Sequence, residues 1–277
     1  ARIGSSHAQK IFKMSLSISL RLIMKRLENK IVIITGASSG IGRESALLFA
    51  QQGAIVINVA RRAERLQELE QRIKAEGNMC FSVVGDLCDP STMQRALDLA
   101  LQRFGRLDIA FNNAGILGAL KPAHQISQTE WENTLNTNLS ANFYAAQMQL
   151  NAMLQQKNGC ILFTSTFVGH RIGFPNMAAY AASKAGLIGL TQVIAAEYGT
   201  FGIRCNCIIP GGTDTEMGRA AVDNEPARQH IQNLHALKRM AQPQEIAQAA
   251  LFAVSDESSF MTGSTLYVDG GISVVRG

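Results

Sequence analysis

A tyrosine and a lysine four residues apart, Tyr180 and Lys184 in YAASK, carry the sharpest chemistry in this chain. On a helix such positions share one face, so a phenol and an ammonium converge on a common ligand. A phenol of ordinary pKa about 10 is a poor base near neutrality, and a neighbouring cation lowers that value by favouring the phenolate. The pair reads as a general acid/base, Tyr180, tuned by Lys184. Alone, the same spacing also describes an ordinary exposed pair, so other residues must decide.

A second set lies in IVIITGASSGIG, residues 31–42. Gly36, Gly40 and Gly42 surround Ser38, Ser39 and Ile41 in a turn between an apolar run and a helical pattern. Such a turn lets backbone N–H groups and the positive end of a helix approach a pyrophosphate without a Cβ in the way. The spacing is G-x-x-x-G-x-G rather than G-x-G-x-x-G, so a glycine-rich turn without a ligand fits it too. About 20 residues further on, where an acid would hold a ribose 2′-hydroxyl and a base a 2′-phosphate, stand Arg61 and Arg62. Two guanidiniums and no acid point to NADP(H) over NAD(H). The competing reading pairs them with Glu64 or Glu68 on a solvated helix, with Arg43 as a further candidate phosphate partner. Asp86, in VVGDLCDP, suits either a turn cap or an adenine amino group. Asn112, Asn113, Ala114 and Gly115 form a small-residue stretch that could pass close to an adenosine while the asparagine amides tie adjacent strands.

These residues need a scaffold. Strand candidates are Ile31–Thr35, Ile55–Val59, Cys80–Val84, Asp108–Phe111, Cys160–Thr164, Ile203–Ile208 and Thr265–Val268, and helical patterns alternate with them. Residues 31–34 are β-branched and apolar without alternation, as in a parallel strand buried on both faces. The order predicts an α/β fold, a Rossmann-like, doubly wound, seven-stranded parallel sheet with helices on both faces, in a single domain over 28–277. Ligands belong at the carboxyl ends of its strands.

The chain has 277 residues, 47% of them hydrophobic, with 24 glycines, ordinary values for an enzyme domain. The net charge of +5 is unevenly placed. Residues 1–27 hold Arg2, Lys10, Lys13, Arg21, Lys25 and Arg26 and no acid, leaving 20 bases against 21 acids elsewhere. A general nucleic-acid-binding surface is therefore not expected, despite an isoelectric point of about 9.1. The basic, serine-rich 1–27 segment overlaps in composition with a transit segment or interfacial helix, but reads first as an extension ahead of a start at Met14 or Met24. No membrane span is expected. The cysteines, Cys80, Cys88, Cys160, Cys205 and Cys207, lack metal-ligand spacing and read as buried small hydrophobes, so no metal is expected.

Taken in order, TGASSGIG (35–42), NNAG (112–115), Asn138 in NTNLSANF, FTSTFVG (163–169), YAASK (180–184) and IIPGGTDT (208–215) resemble the short-chain dehydrogenase/reductase family, from about Leu27 to the VDGG at 268–271. The resemblance implies an NAD(P)-dependent cytoplasmic oxidoreductase acting on a small carbonyl or alcohol substrate, usually a homotetramer. It implies Tyr180 as proton donor, Lys184 on the nicotinamide ribose, and Asn138, in an irregular stretch of helix, holding a water that relays protons to Lys184. It places the pyrophosphate on the helix opened at Gly42, the adenine side on Asp86 and Leu87, and the adenosine on Asn113, Ala114 and Gly115. Pro210, Gly211, Thr213 and Thr215 would lie against the nicotinamide carboxamide and phosphates. The family's catalytic serine departs from register: thirteen residues before Tyr180 stands Phe167, whereas three before Gly169 stands Thr166, with Ser165 beside it. A one-residue insertion within 170–177 favours Thr166 over Ser165. Substrate walls are expected from 116–122, from 170–177 and from a lid over 213–237. In the lid, Met217, Ala220, Ala221 and Val222 are contact candidates and Arg219 an anion partner; His170 and Arg171 fit either an acidic substrate or a solvated loop. Substrate identity is open, with a lean toward a polar carbonyl compound. The competing class is a non-catalytic nucleotide-binding or sensor protein on the same scaffold, and the Thr166 departure is its only support.

Overall fold

The computed structural model of the chain describes residues 25–222 and 224–275; most of the basic 1–27 segment lies outside them. Seven parallel strands, β1 (Ile31–Thr35), β2 (Ile55–Ala60), β3 (Cys80–Val84), β4 (Ile109–Asn112), β5 (Gly159–Thr164), β6 (Ile203–Pro210) and β7 (Thr265–Val268), form one sheet in the order β3-β2-β1-β4-β5-β6-β7. Each expected strand is present; β1, β3 and β7 keep the expected bounds, and the ends of the other four move by one or two residues. In β1, Ile31 and Ile33 enter one buried cluster while Val32 and Ile34 enter the other, which is why the run cannot alternate with polar residues. Burial extends upstream of Glu28, since Leu27 is wholly buried.

The helices are α1 (Gly40–Gln51), α2 (Ala63–Ala75), α3 (Pro90–Phe104), α4 (Gln128–Leu135), α5 (Ala141–Gln156), α6 (Ala178–Tyr198), α7 (Glu216–Ala221), α8 (Glu225–Leu234) and α9 (Pro243–Val254). Local chemistry sets several ends. The Asp89 side chain accepts from the Ser91 N–H at 2.9 Å and Pro90 opens α3, while Gly105 closes it at φ 72°. Ser127 and Glu130 form a capping box at α4. The helical pattern over 129–159 is two helices joined by a π-helical turn, Asn136–Ser140, the irregularity expected at Asn138. Helix α9, not anticipated from sequence, opens with Pro243 and packs its Ala250 and Leu251 into the cluster that also holds Ala46 and Phe49 of α1.

The order of connections reverses between β1 and β4, and there the sheet opens at its carboxyl edge. Among the described residues no helix is long and apolar enough to cross a membrane.

Candidate active site

The glycine turn leaves β1 at Gly36 (φ 69°) and enters α1 at Gly40 (φ 53°), backbone conformations that disfavour a side chain. A Cβ on Gly36 would meet Ala114 Cα and Asn113 Nδ2 at 3.0 Å, so the turn is pressed against the end of β4. A Cβ on Gly42 would overlap the Gly36 carbonyl oxygen. Gly42 therefore permits packing within the turn and does not itself line the cleft. Ser39 stands at the N-cap of α1, its hydroxyl makes no capping bond to the helix, and no acid lies in the first turn. The helix thus presents backbone donors and a positive end to an anion, and its glycines leave a cradle that a pyrophosphate fits.

Thr35 and Asn113 hold the strands in place at this opening. The Thr35 hydroxyl accepts from the N–H groups of Asn113 and Ala114, each at 3.0 Å. Asn113 Nδ2 donates to the Thr35 carbonyl at 3.2 Å and its Oδ1 accepts from Thr164 at 3.1 Å, linking β1, β4 and β5. Asn112 instead exchanges hydrogen bonds with Gln149 at 2.8 and 3.0 Å.

A cleft of about 820 Å³ runs from this turn across the carboxyl edge. Its lining gathers the expected Gly36, Ser38, Ser39, Gly40, Ile41, Arg61, Arg62, Asp86, Leu87, Asn113, Ala114, Gly115, Ser165, Thr166, Tyr180, Lys184, Pro210, Gly211, Thr213 and Thr215. Asn138 lies behind the wall, fully buried in the π-turn. Its amide is engaged: Oδ1 accepts from the Ile116 N–H at 2.8 Å, and Nδ2 donates to the Ile116 carbonyl at 2.9 Å and to Ser183 at 3.0 Å. That side chain fixes the 114–116 loop.

Lys184 is buried, and its Nζ donates to the Thr164 carbonyl at 2.8 Å. Burial holds its pKa down to about 8. The Tyr180 phenol differs from expectation: burial raises its pKa, and the opposing influence is a hydrogen bond with Thr166 rather than the charge of Lys184. The Lys184 ammonium is directed toward the β5 carbonyl. Thr166 and Ser165 face apart, as neighbours in extended chain do. The Thr166 hydroxyl holds back part of the rise in the phenol's pKa, and it accepts from the Val168 N–H at 3.3 Å. The Ser165 hydroxyl donates to the Lys184 carbonyl at 2.7 Å, tying β5 to α6.

The arginines find partners that spacing did not indicate. Arg62 Nε and Nη2 lie 3.2 and 3.1 Å from the Ser38 hydroxyl, Nη2 lies 2.6 Å from that of Ser39, and Nη1 donates to Glu216 at 2.7 Å. Arg61 pairs with Asp86 at 3.6 Å, and Asp86 caps its own turn by accepting from the Cys88 N–H at 2.9 Å. Arg43 bonds Glu44 at 2.8 Å and does not line the cleft.

Away from the glycine turn the cleft is lined by Leu117 and Leu120, by Phe167, Val168, Phe174 and Met177, by Met217, Ala220, Ala221 and Val222, and by Ile231 and Met240. These side chains are apolar, and Asn176 and His230 add polar groups to the same lining. His170 and Arg171 turn away onto Tyr267, where the arginine donates to the phenol at 3.0 Å, and Arg219 pairs with Asp214 at 3.5 Å. Thr164, Phe167, Met240 and Glu216 were missed; only the FTSTF run offered a signal for the first two. Cys80, Cys160, Cys205 and Cys207 are buried as expected, but Cys88 is exposed because it sits in the loop after β3. Among the described residues no group of three or more His, Cys, Asp or Glu side chains could hold a metal.

A glycine cradle at the switch point of a doubly wound parallel sheet, with a phenol and an ammonium in one cleft, defines a dinucleotide-binding protein equipped for proton transfer. Residues 36–273 match the family model described as enoyl-(acyl carrier protein) reductase. A cyclohexanol dehydrogenase of Acinetobacter sp. (strain SE19) is 37% identical over 90% of this chain and 97% of its own. Among solved structures, a Beutenbergia cavernae protein with bound NADP is 32% identical (TM-score 0.84; 89% of this chain, 97% of that one). A carveol dehydrogenase from Mycobacterium avium in complex with NAD is 30% identical (TM-score 0.84; 90% and 99%). This chain belongs to the short-chain dehydrogenase/reductase family, and it is an NAD(P)-dependent oxidoreductase of alcohol and carbonyl groups.

Proposed function

We propose that this enzyme prefers NADP(H) and interconverts an uncharged, largely apolar ketone and its secondary alcohol, with Tyr180 as general acid/base. The observation that carries the reading is that Tyr180, Thr166 and Lys184 all line the cleft that begins at the glycine turn. When bound, the nicotinamide supplies or accepts the hydride. In the reducing direction Tyr180 gives its proton to the carbonyl oxygen, and the Thr166 hydroxyl donates a second hydrogen bond there. Buried as a phenol of raised pKa, Tyr180 stays protonated and ready to donate near neutrality. Lys184, held by the Thr164 carbonyl, would bond the nicotinamide ribose, and its pKa of about 8 makes its proton transferable near neutrality.

The NADP(H) preference is supported by Arg62 and Arg61 with Ser38 and Ser39, a donor set suited to a 2′-phosphate. The substrate class is supported by the apolar walls and by His170, Arg171 and Arg219 lying outside them. Residues 213–237 serve as the lid, contributing Met217, Ala220, Ala221 and Val222. A homotetramer is supported by exposed apolar residues on neighbouring helices, Trp131 of α4 and Phe143 and Tyr144 of α5. Five free cysteines suit a reducing cytoplasm.

A panel of cyclic and aliphatic ketones followed by NADPH absorbance, with wild type and Tyr180→Phe, tests the reading. Loss of the proton donor should lower kcat by on the order of 10²–10⁴-fold. Dinucleotide affinity should change little. Retained turnover in the variant removes Tyr180 from its role.

A further inference from the structure

We propose that Glu216 sets cofactor choice: its carboxylate occupies Arg62 and competes with a 2′-phosphate for that guanidinium. The inference rests on the reading that Arg62 faces the cofactor's 2′ position, and it adds an acidic residue that lies far along the chain from the end of β2.

All three guanidinium nitrogens of Arg62 are engaged. Nε and Nη2 reach the hydroxyls of Ser38 and Ser39, and Nη1 reaches Glu216 Oε2 at 2.7 Å. The second carboxylate oxygen of Glu216 lies 3.5 Å from Arg65 Nη2. Glu216 opens α7, whose preceding residue, Thr215, packs on the glycine turn; a Cβ on Gly40 would come within 2.9 Å of Thr215 Cγ2. The carboxylate is therefore held beside the phosphate cradle by its backbone as well as by its ion pair. Arg62, Ser38, Ser39 and Glu216 all line the cleft, so these contacts face the space that a cofactor enters.

The charges decide what this does. A 2′-phosphate brought to Arg62 meets a carboxylate bonded to the same group, so either the Arg62–Glu216 bond breaks or two anions share one guanidinium. A 2′-hydroxyl has no charge to repel and can donate a hydrogen bond to the carboxylate. Glu216 thus opposes NADP(H) while tolerating NAD(H). Arg65 offers the displaced carboxylate a second partner, which lets the phosphate enter at a moderate cost and leaves the enzyme able to use both dinucleotides. The preference is set by two residues 154 positions apart, one on β2's exit and one on the lid.

Equilibrium binding of NADPH and NADH, by ligand fluorescence and calorimetry, to wild type, Glu216→Gln, Arg62→Ala and the double variant tests the proposal. With both partners solvent-accessible, Glu216→Gln should tighten NADPH about three- to fivefold and leave NADH unchanged or weaker. That gain should shrink to less than about twofold in the Arg62→Ala background, since the competition needs the guanidinium. If Arg62→Ala weakens NADPH but Glu216→Gln tightens neither dinucleotide, or both equally, the role of Glu216 is overturned while the 2′-phosphate assignment stands. If Arg62→Ala leaves NADPH binding unchanged, the assignment of Arg62 itself fails, and this proposal with it.

Discussion

Lys184 should make the folded protein less stable than its absence would. It is buried, and burial takes its pKa from the ordinary 10.5 to about 8, with the nearest compensation a hydrogen bond to the Thr164 carbonyl at 2.8 Å. A difference of that size corresponds to about 3 kcal/mol of disfavoured charge at neutral pH. Lys184→Met keeps an unbranched side chain of similar length and removes that cost, but it leaves the Thr164 carbonyl without its ammonium, a loss of about 1–2 kcal/mol. The variant should therefore be about 1–2 kcal/mol more stable at neutral pH, raising Tm by about 3–6 °C, while turnover collapses. The sign of the pH dependence follows from proton binding. Between the folded pKa of about 8 and the unfolded 10.5, the unfolded chain holds more protons at this site, so the Lys184 contribution to wild-type stability improves as pH rises. The advantage of the variant should narrow by about 2 kcal/mol from pH 7 to pH 10, and Tyr180, present in both proteins, cancels from the difference. Urea unfolding of both proteins at several pH values measures it. A variant less stable than wild type at pH 7, with a gap that stays constant to pH 10, refutes the reasoning.

Thr166→Ala should lower kcat/KM by about 10–100-fold through loss of a donor at the substrate oxygen, whereas Ser165→Ala should cost about 1 kcal/mol of stability and little activity. The reverse ranking in steady-state kinetics would exchange their roles. Gly115→Ala places a Cβ 3.0 Å from Lys184 Nζ and 3.1 Å from Asn138 Oδ1, so the lysine must shift. Its kcat should fall about tenfold with the fold intact by circular dichroism, since small misplacements near reacting groups are costly. Wild-type kcat would show that the lysine can move without consequence.

The sheet was legible because central parallel strands buried on both faces write continuous apolar runs, as in β1, while the more exposed β3 and β7 still carry short apolar, β-branched stretches. The boundaries were not, since Asn112 and Pro210 extend β4 and β6 by backbone hydrogen bonding that no side-chain pattern announces. Helix α9 was missed because its Ala-rich, half-buried sequence lacks a strong polar face, its start marked only by Pro243 and the Gln242–Glu245 cap.

At the site, residue types and spacing were enough to bring Tyr180 and Lys184 to one cleft with the glycine turn, because helical periodicity and the carboxyl-edge rule are local or topological. Which partner each group meets was decided only by tertiary structure. Lys184 turned to the Thr164 carbonyl, the Ser165 hydroxyl to the Lys184 carbonyl, and Arg62 to Glu216 instead of an acid on its own helix. Burial and partners come from chains folded against one another across long sequence separations, and these set the proton affinities and free donors on which the chemistry depends.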